Sequence, residues 1–233
     1  MSSTGQEQLL QRKLRSPRSA AISGILCSLL IVTVMIVLRG GAIVDPAEID
    51  RDWLEARSAT ASWILVLIPF AGLCFLWFTG VMRDLLGELE DKFLSTVFLG
   101  SGIMLVVIMF VWAAAYGAIF STYQLVGDGL TDLNIFIYVT TFNNELISNY
   151  LLRMGAVYML SSSMLWIRTK VVPRWLIIVT IIVGVAFLLF ARELVWARFL
   201  GPAWGLMVSI YILISNFRPN QQREGDEEPT LEV

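Results

Sequence analysis

The sequence predicts an all-α polytopic membrane protein with six transmembrane helices and both termini in the cytoplasm. Six apolar runs alternate with polar segments, and each run approaches or exceeds the roughly 20 residues that a helix needs to cross the hydrocarbon core. The chain of 233 residues is 57% hydrophobic and only 15% charged, whereas a soluble domain is about 25% charged. The Lys and Arg residues are also distributed unequally between alternating loops.

The six apolar runs set the boundaries of the predicted elements. We expect helices at about residues 20–38, 61–82, 93–121, 135–167, 175–191 and 203–217. The first run is longer than the 7–15 residues of a signal-peptide core, so we expect it to be retained as a membrane helix. Residues 1–19 form a cytoplasmic N-terminal segment, and the acidic tail, 218–233, is expected to be disordered.

Two prolines refine this outline. Asp45-Pro46 is a favourable helix start, with an Asp cap and Pro at the first helical position. It predicts a short surface helix from Ala47 to Ala56. Pro69 lies inside the second run and predicts a kink there.

The distribution of basic residues predicts the orientation. The N-terminal segment, the loops after the second and fourth runs, and the tail hold eleven Lys and Arg, whereas the loops on the other side hold five. Cytoplasmic loops carry the excess of Lys and Arg, so both termini are expected inside. The plasma membrane, most simply a bacterial inner membrane, is the expected location. Six tryptophans near helix ends are expected to anchor the interfaces: Trp63, Trp77, Trp166, Trp175, Trp196 and Trp204.

The composition excludes several chemistries. There is no histidine, which removes imidazole metal ligands and histidine general bases. Cys27 and Cys74 lie inside apolar runs, where cysteine behaves as a small hydrophobe. We therefore expect no metal and no cofactor. The chain shows no basic patch with interleaved aromatic residues, so nucleic acid is not an expected partner.

The fourth run carries the densest group of polar residues. Glu145, Asn149 and Arg153 are spaced i, i+4, i+8 and form one stripe on a helix, in which Asn149 would bridge the acid and the base. Ionisable residues at membrane depth usually face a cavity or a partner. The candidate polar path or interhelical network on the outer side comprises Asn144, Glu145, Asn149, Arg153, Arg192 and Glu193. Alternatively, the run protrudes and Arg153 snorkels to the outer interface.

The loop after the second run is the other candidate. Its residues Arg83, Asp84, Gly87, Glu90 and Asp91 lie on the cytoplasmic side. Gly80, Asp84 and Gly87 resemble the gating loop between helices two and three of major facilitator transporters. That family's basic residues are absent, because Leu85 and Glu88 occupy those positions. The alternative is a solvated turn, capped by Asp and ended by Gly.

Longer segments carry a broader resemblance. The stretches WFTGVMRDLLGELEDKFLSTVFLGSG, LRMGAVYMLSSS and PRWL are similar to those of small multi-pass bacterial membrane proteins of uncharacterised activity. The resemblance covers residues 61–217. It implies six helices and a bacterial plasma membrane, and it implies no activity or site residues.

Three functional hypotheses remain. The first is a structural or accessory partner of a membrane complex, in contact with the lipid bilayer and with other membrane subunits or with itself. The second is a small oligomeric transporter or channel with a polar path along the fourth helix. The third is an intramembrane enzyme, although Ser161, Ser162 and Ser163 have no neighbouring base in the sequence.

Overall fold

The structure, a computed structural model, describes residues 3–39, 51–86, 92–126, 133–169, 172–190 and 197–215. Within these ranges the chain is helical apart from the connection at 172–173, and it contains no strand. The helices are α1 (Ser3–Arg39), α2 (Arg51–Leu86), α3 (Lys92–Val126), α4 (Leu133–Glu145), α5 (Leu152–Thr169), α6 (Arg174–Phe190) and α7 (Ala197–Ser215). A π-helical segment, Leu146–Leu151, joins α4 to α5.

Four of the described helices are long and apolar enough to cross a membrane. The qualifying segments are Arg18–Leu38 of α1, Thr60–Asp84 of α2, Lys92–Thr122 of α3 and Arg198–Ser215 of α7. Helix α6 is also apolar but is shorter, at 17 residues. These lengths and compositions indicate a membrane protein.

Two of the helices begin ten or more residues before their predicted apolar runs. Helix α1 begins at Ser3, because the polar N-terminal segment is rich in Gln, Leu, Lys and Arg, which are good helix formers. Helix α2 begins at Arg51, since neither Gly nor Pro occurs between Arg51 and Thr60. The prediction of a separate surface helix that ends at Ala56 is therefore wrong for residues 51–56, which belong to α2. Residues 47–50 lie outside the described ranges.

Pairs of facing residues show that α2 and α3 pack antiparallel. Helix α1 packs on α2, α2 on α3, α3 on α5 and α5 on α6. Gly72 of α2 faces Phe110 of α3, whereas Gly117 of α3 faces Leu65 of α2. The numbers rise along one helix as they fall along the other, which defines an antiparallel pair.

The last helix, α7, packs against the first helix, α1. A Cβ placed on Gly24 of α1 would overlap Ser209 of α7, and one placed on Gly205 of α7 would lie 2.8 Å from the Ser28 Oγ of α1. These reciprocal Gly–Ser contacts let the two backbones approach closely, as small residues do in membrane helix pairs. Because Gly24 faces Ser209 and Ser28 faces Gly205, α1 and α7 also run antiparallel.

Aromatic rings fill the space between α2, α3, α5 and α7. The Tyr158 ring stacks on Phe98 with centroids 4.6 Å apart and lies 5.1 Å from Phe75. Trp204 of α7 stacks on Trp166 at 6.3 Å and meets the edge of Tyr158 at 6.1 Å. Such ring pairs contribute about 0.5–1.5 kcal/mol each beyond their buried area.

Two of the six tryptophans are therefore not interface anchors. Trp166 is only 2% exposed and Trp204 only 6%, because both belong to this aromatic core. The prediction of interfacial positions is wrong for them. Trp63, Trp77 and Trp175 do lie exposed on the helical surface, and Trp196 lies outside the described residues.

Candidate functional site

The predicted fourth helix is not one regular helix. Its backbone changes from α4 to the π-helical segment at Leu146 and returns to α-helix at Leu152. Where the α-helix resumes, the Leu152 N–H donates a hydrogen bond to the Ile147 carbonyl, five residues earlier. π-Helical turns are rare and occur frequently at functional sites. The polar stripe lies on and beside this segment.

Asn149 joins the acid and the base of the stripe, as its spacing predicts. Its Nδ2 donates to the Glu145 carboxylate. Its Oδ1 accepts from Arg153 Nη1 at 2.6 Å, and its backbone carbonyl accepts from the same Nη1 at 3.2 Å. Charge-assisted bonds of this kind are stronger than neutral ones. One amide thus connects a carboxylate to a guanidinium across two turns.

The stripe lies on the outside of the helical assembly. Arg153 is exposed, and Glu145 and Asn149 are half-buried. Asn143, on the opposite side of α4, is buried at 7% exposure, and within the described residues no donor reaches its Oδ1. A path along Glu145, Asn149 and Arg153 would therefore run over the surface of one chain, not through its interior.

The remaining residues of the candidate network are only partly brought together. Asn144 Oδ1 accepts a long hydrogen bond of 3.5 Å from Arg198 Nη2, which connects α4 to α7. Arg192 and Glu193 lie outside the described residues. Arg198 was not among the predicted site residues. Its position as a charged residue at the start of an apolar helix is the feature of the sequence that could have indicated it.

A pocket opens beside the stripe, on the same face of α4. Its volume is about 240 Å³, and it is lined by Tyr138, Thr141, Phe142, Glu145, Leu146 and Tyr150. The Tyr138 and Tyr150 rings are 71% and 59% exposed. The pocket therefore combines three accessible aromatic rings with one carboxylate.

The candidates in the loop after the second run are placed differently from the prediction. Arg83 and Asp84 belong to the last turn of α2, which continues to Leu86, because neither Gly nor Pro occurs from Val81 to Leu86. They are therefore not loop residues. The Arg83 Nε donates to the Ser95 Oγ of α3 at 3.1 Å. The other three candidates, Gly87, Glu90 and Asp91, lie outside the described residues.

Buried hydroxyl groups near the aromatic core escaped the sequence analysis. The Thr79 hydroxyl and the Tyr158 hydroxyl share a hydrogen bond of 3.0 Å. Trp204 Nε1 donates to Thr180 Oγ1 at 2.8 Å, and that hydroxyl donates in turn to the Leu176 carbonyl. Single Thr and Tyr residues inside apolar runs could have indicated such groups, but only the packing shows which of them form hydrogen bonds with each other.

The described part of the chain contains two free thiols. Cys27 is a buried free thiol and Cys74 a half-buried one. Within the described residues, no three His, Cys, Asp or Glu side chains lie close enough to hold a metal ion.

No protein-family model matches the chain, and neither a curated protein nor a solved structure matches it.

Proposed function

We propose that this chain is a six-span plasma-membrane protein that serves as a structural or accessory partner of a membrane complex. Both termini lie in the cytoplasm of this arrangement, and the membrane is a bacterial inner membrane. The antiparallel contact of α1 with α7 supports an even number of spans. The excess of Lys and Arg on the terminal side supports the orientation.

The proposal assigns two further spans beyond the four long apolar helices. The stretch from α4 through α5, Leu133–Thr169, is about 55 Å long at 1.5 Å per residue, so it extends beyond a bilayer core of about 30 Å. Helix α6 is about 26 Å long by the same measure. It crosses the core if the bilayer thins slightly around it.

The filled centre of the helix assembly is the observation that carries the accessory role. Tyr158, Trp166 and Trp204 are buried there and interlock by ring contacts. The hydroxyl of Thr180 is bonded within the core. A transporter needs polar groups along a path through its core, whereas this core is packed with aromatic side chains. The surface is therefore where the chain engages other molecules.

Helix α2 presents the surface best suited to a partner helix. Trp63, Phe70 and Trp77 are exposed and recur every seven residues, with Val66 and Leu73 exposed between them. Apolar residues that recur every seven positions are typical of a helix that packs against a second helix. Tryptophan is also enriched among residues that dominate interface energies.

Site-specific photo-cross-linking in the native membrane tests this role. A photoreactive residue is placed at Phe70 or Leu73 of α2, and at Ile182 of α6 as the matched control, since all three are about 60% exposed. The accessory role predicts one discrete adduct with another membrane protein from both α2 positions and none from Ile182. Equal labelling from all three positions, or no protein adduct at all, would contradict it.

An oligomeric transporter or channel is the second candidate, and the exterior polar stripe favours it. Glu145, Asn149 and Arg153 face outward, so a second copy of the chain would enclose them. Flux of small ions into vesicles containing the purified protein, abolished by Arg153→Leu, is the expected result for this candidate. The cross-linked product would then have twice the chain mass of 26.1 kDa.

A further inference from the structure

The pocket on α4 has the composition of a site for an organic ammonium group. Its walls are the rings of Tyr138, Phe142 and Tyr150, and Glu145 supplies a carboxylate. Aromatic faces attract ammonium groups, and aromatic cages are the usual receptors for them. At about 240 Å³ the pocket is smaller than typical sites for drug-sized ligands, which start at about 300 Å³. It is large enough to hold a lipid headgroup.

We propose that this pocket binds the ammonium of a zwitterionic phospholipid headgroup in the outer leaflet. The inference goes beyond the accessory role and rests on the orientation proposed with it, which places Glu145 near the outer interface. There the headgroup region of the bilayer surrounds α4, and the exposed rings face it.

The order of charges along the helix matches the order within such a headgroup. Glu145 lies outward and Arg153 lies toward the bilayer centre. In a zwitterionic phospholipid the ammonium is likewise the outer charge and the phosphate the inner one. The Arg153 side chain reaches outward to Asn149, which brings its guanidinium within about one turn of Glu145.

Arg153 also retains donors for a phosphate. Within the described residues both of its hydrogen bonds are donated by Nη1, so its Nε and Nη2 edge is available. A guanidinium binds phosphate oxygens with two parallel N–H donors. Glu145 and Arg153 together would therefore hold the two ends of one headgroup.

Competition between two lipids tests the site on the full chain purified in detergent. Phosphatidylethanolamine and phosphatidylglycerol with identical acyl chains are added in equal amounts, and native mass spectrometry measures their occupancy. Both carry the phosphate, but only the first carries an ammonium. The expected result is a preference of about tenfold for phosphatidylethanolamine, equivalent to about 1.4 kcal/mol.

Variants connect the preference to the pocket. Glu145→Gln keeps the shape of the side chain but removes its charge, and it should abolish the preference. Tyr138→Leu alters only an exposed ring and should reduce the preference several-fold without affecting folding. Phe93→Leu, which changes an equally exposed aromatic residue on α3, is the control and should leave the preference unchanged.

Three outcomes would overturn the proposal. These are equal binding of the two lipids, an unchanged preference in both pocket variants, and displacement of the lipid by an equimolar soluble amine such as ethanolamine. The last would make the pocket a site for soluble amines. The result is independent of cross-linking at Phe70, so the lipid site and the accessory role can fail separately.

Discussion

At the scale of single residues, Asn149 determines whether the charges of Glu145 and Arg153 are coupled. Glu145 and Arg153 are eight residues apart, one on each side of the π-helical segment. The Asn149 amide spans that gap, since it donates to one and accepts from the other. The electrostatic coupling of the acid and the base should therefore depend on this amide.

A double-mutant cycle with Glu145→Gln and Arg153→Leu tests that dependence. We expect a coupling of about 0.5–1 kcal/mol, as for partly exposed charged groups. It should disappear in an Asn149→Leu background and persist in a Ser148→Ala background. The measurement is the free energy of unfolding in detergent. A coupling that survives in Asn149→Leu would show that the acid and the base interact directly.

Trp204 provides a second test at this scale, because it connects α7 to α6 through its Nε1 bond to Thr180. Trp204→Phe removes that donor and should lower the free energy of unfolding by at least about 1 kcal/mol. Thr180→Val should cost a similar amount, and the double variant should cost less than the sum. Trp175→Phe, at an exposed tryptophan, is the control. Strictly additive losses would mean that the bond contributes nothing.

At the scale of helices, close packing depends on a few glycines and not on glycine in general. Gly24 lies against Ser209 and Phe78, whereas a Cβ on Gly80 of α2 would meet no atom within 4 Å. The same substitution should thus have opposite effects at the two positions.

Gly24→Ala should reduce stability by about 1–3 kcal/mol, the usual effect of inserting a methyl group into a packed contact. Gly80→Ala should leave stability unchanged or raise it by up to about 1 kcal/mol, because Ala favours helix over Gly. The thermal midpoints of the two purified variants measure the difference. A Gly24→Ala variant as stable as Gly80→Ala would show that α1 and α7 separate easily.

The apolar runs predicted the class of structure, because the length and hydrophobicity of a helix decide whether it suits a bilayer. The i, i+4, i+8 spacing predicted the bridging role of Asn149, because it depends on one helix only. The π-helical segment, the buried tryptophans and the Thr79–Tyr158 bond escaped prediction, since each depends on how different helices or turns pack. The six-span count stays a proposal.

At the scale of the whole molecule, the proposed topology has a direct test. Single cysteines are introduced in a Cys27→Ser, Cys74→Ser background and labelled with a membrane-impermeant thiol reagent on intact cells. Cysteines that replace Glu48 or Asp128 should be labelled from outside. Cysteines that replace Glu90 or a residue of the tail should react only after permeabilisation. The basic-residue asymmetry is the physical reason. Labelling of residue 90 on intact cells would reverse the orientation.

The contact between α1 and α7 also determines when the protein can be completed during synthesis. Gly24 emerges from the ribosome 185 residues before Ser209, which at about 5–20 residues per second is an interval of roughly 10–40 s. Throughout that interval α1 is inserted without the helix that covers Ser28 and Gly24. A chain that stalls before α7 leaves this small-residue groove open to lipid or to another nascent helix. Premature termination should therefore yield a product that quality-control proteases recognise by its uncovered first helix.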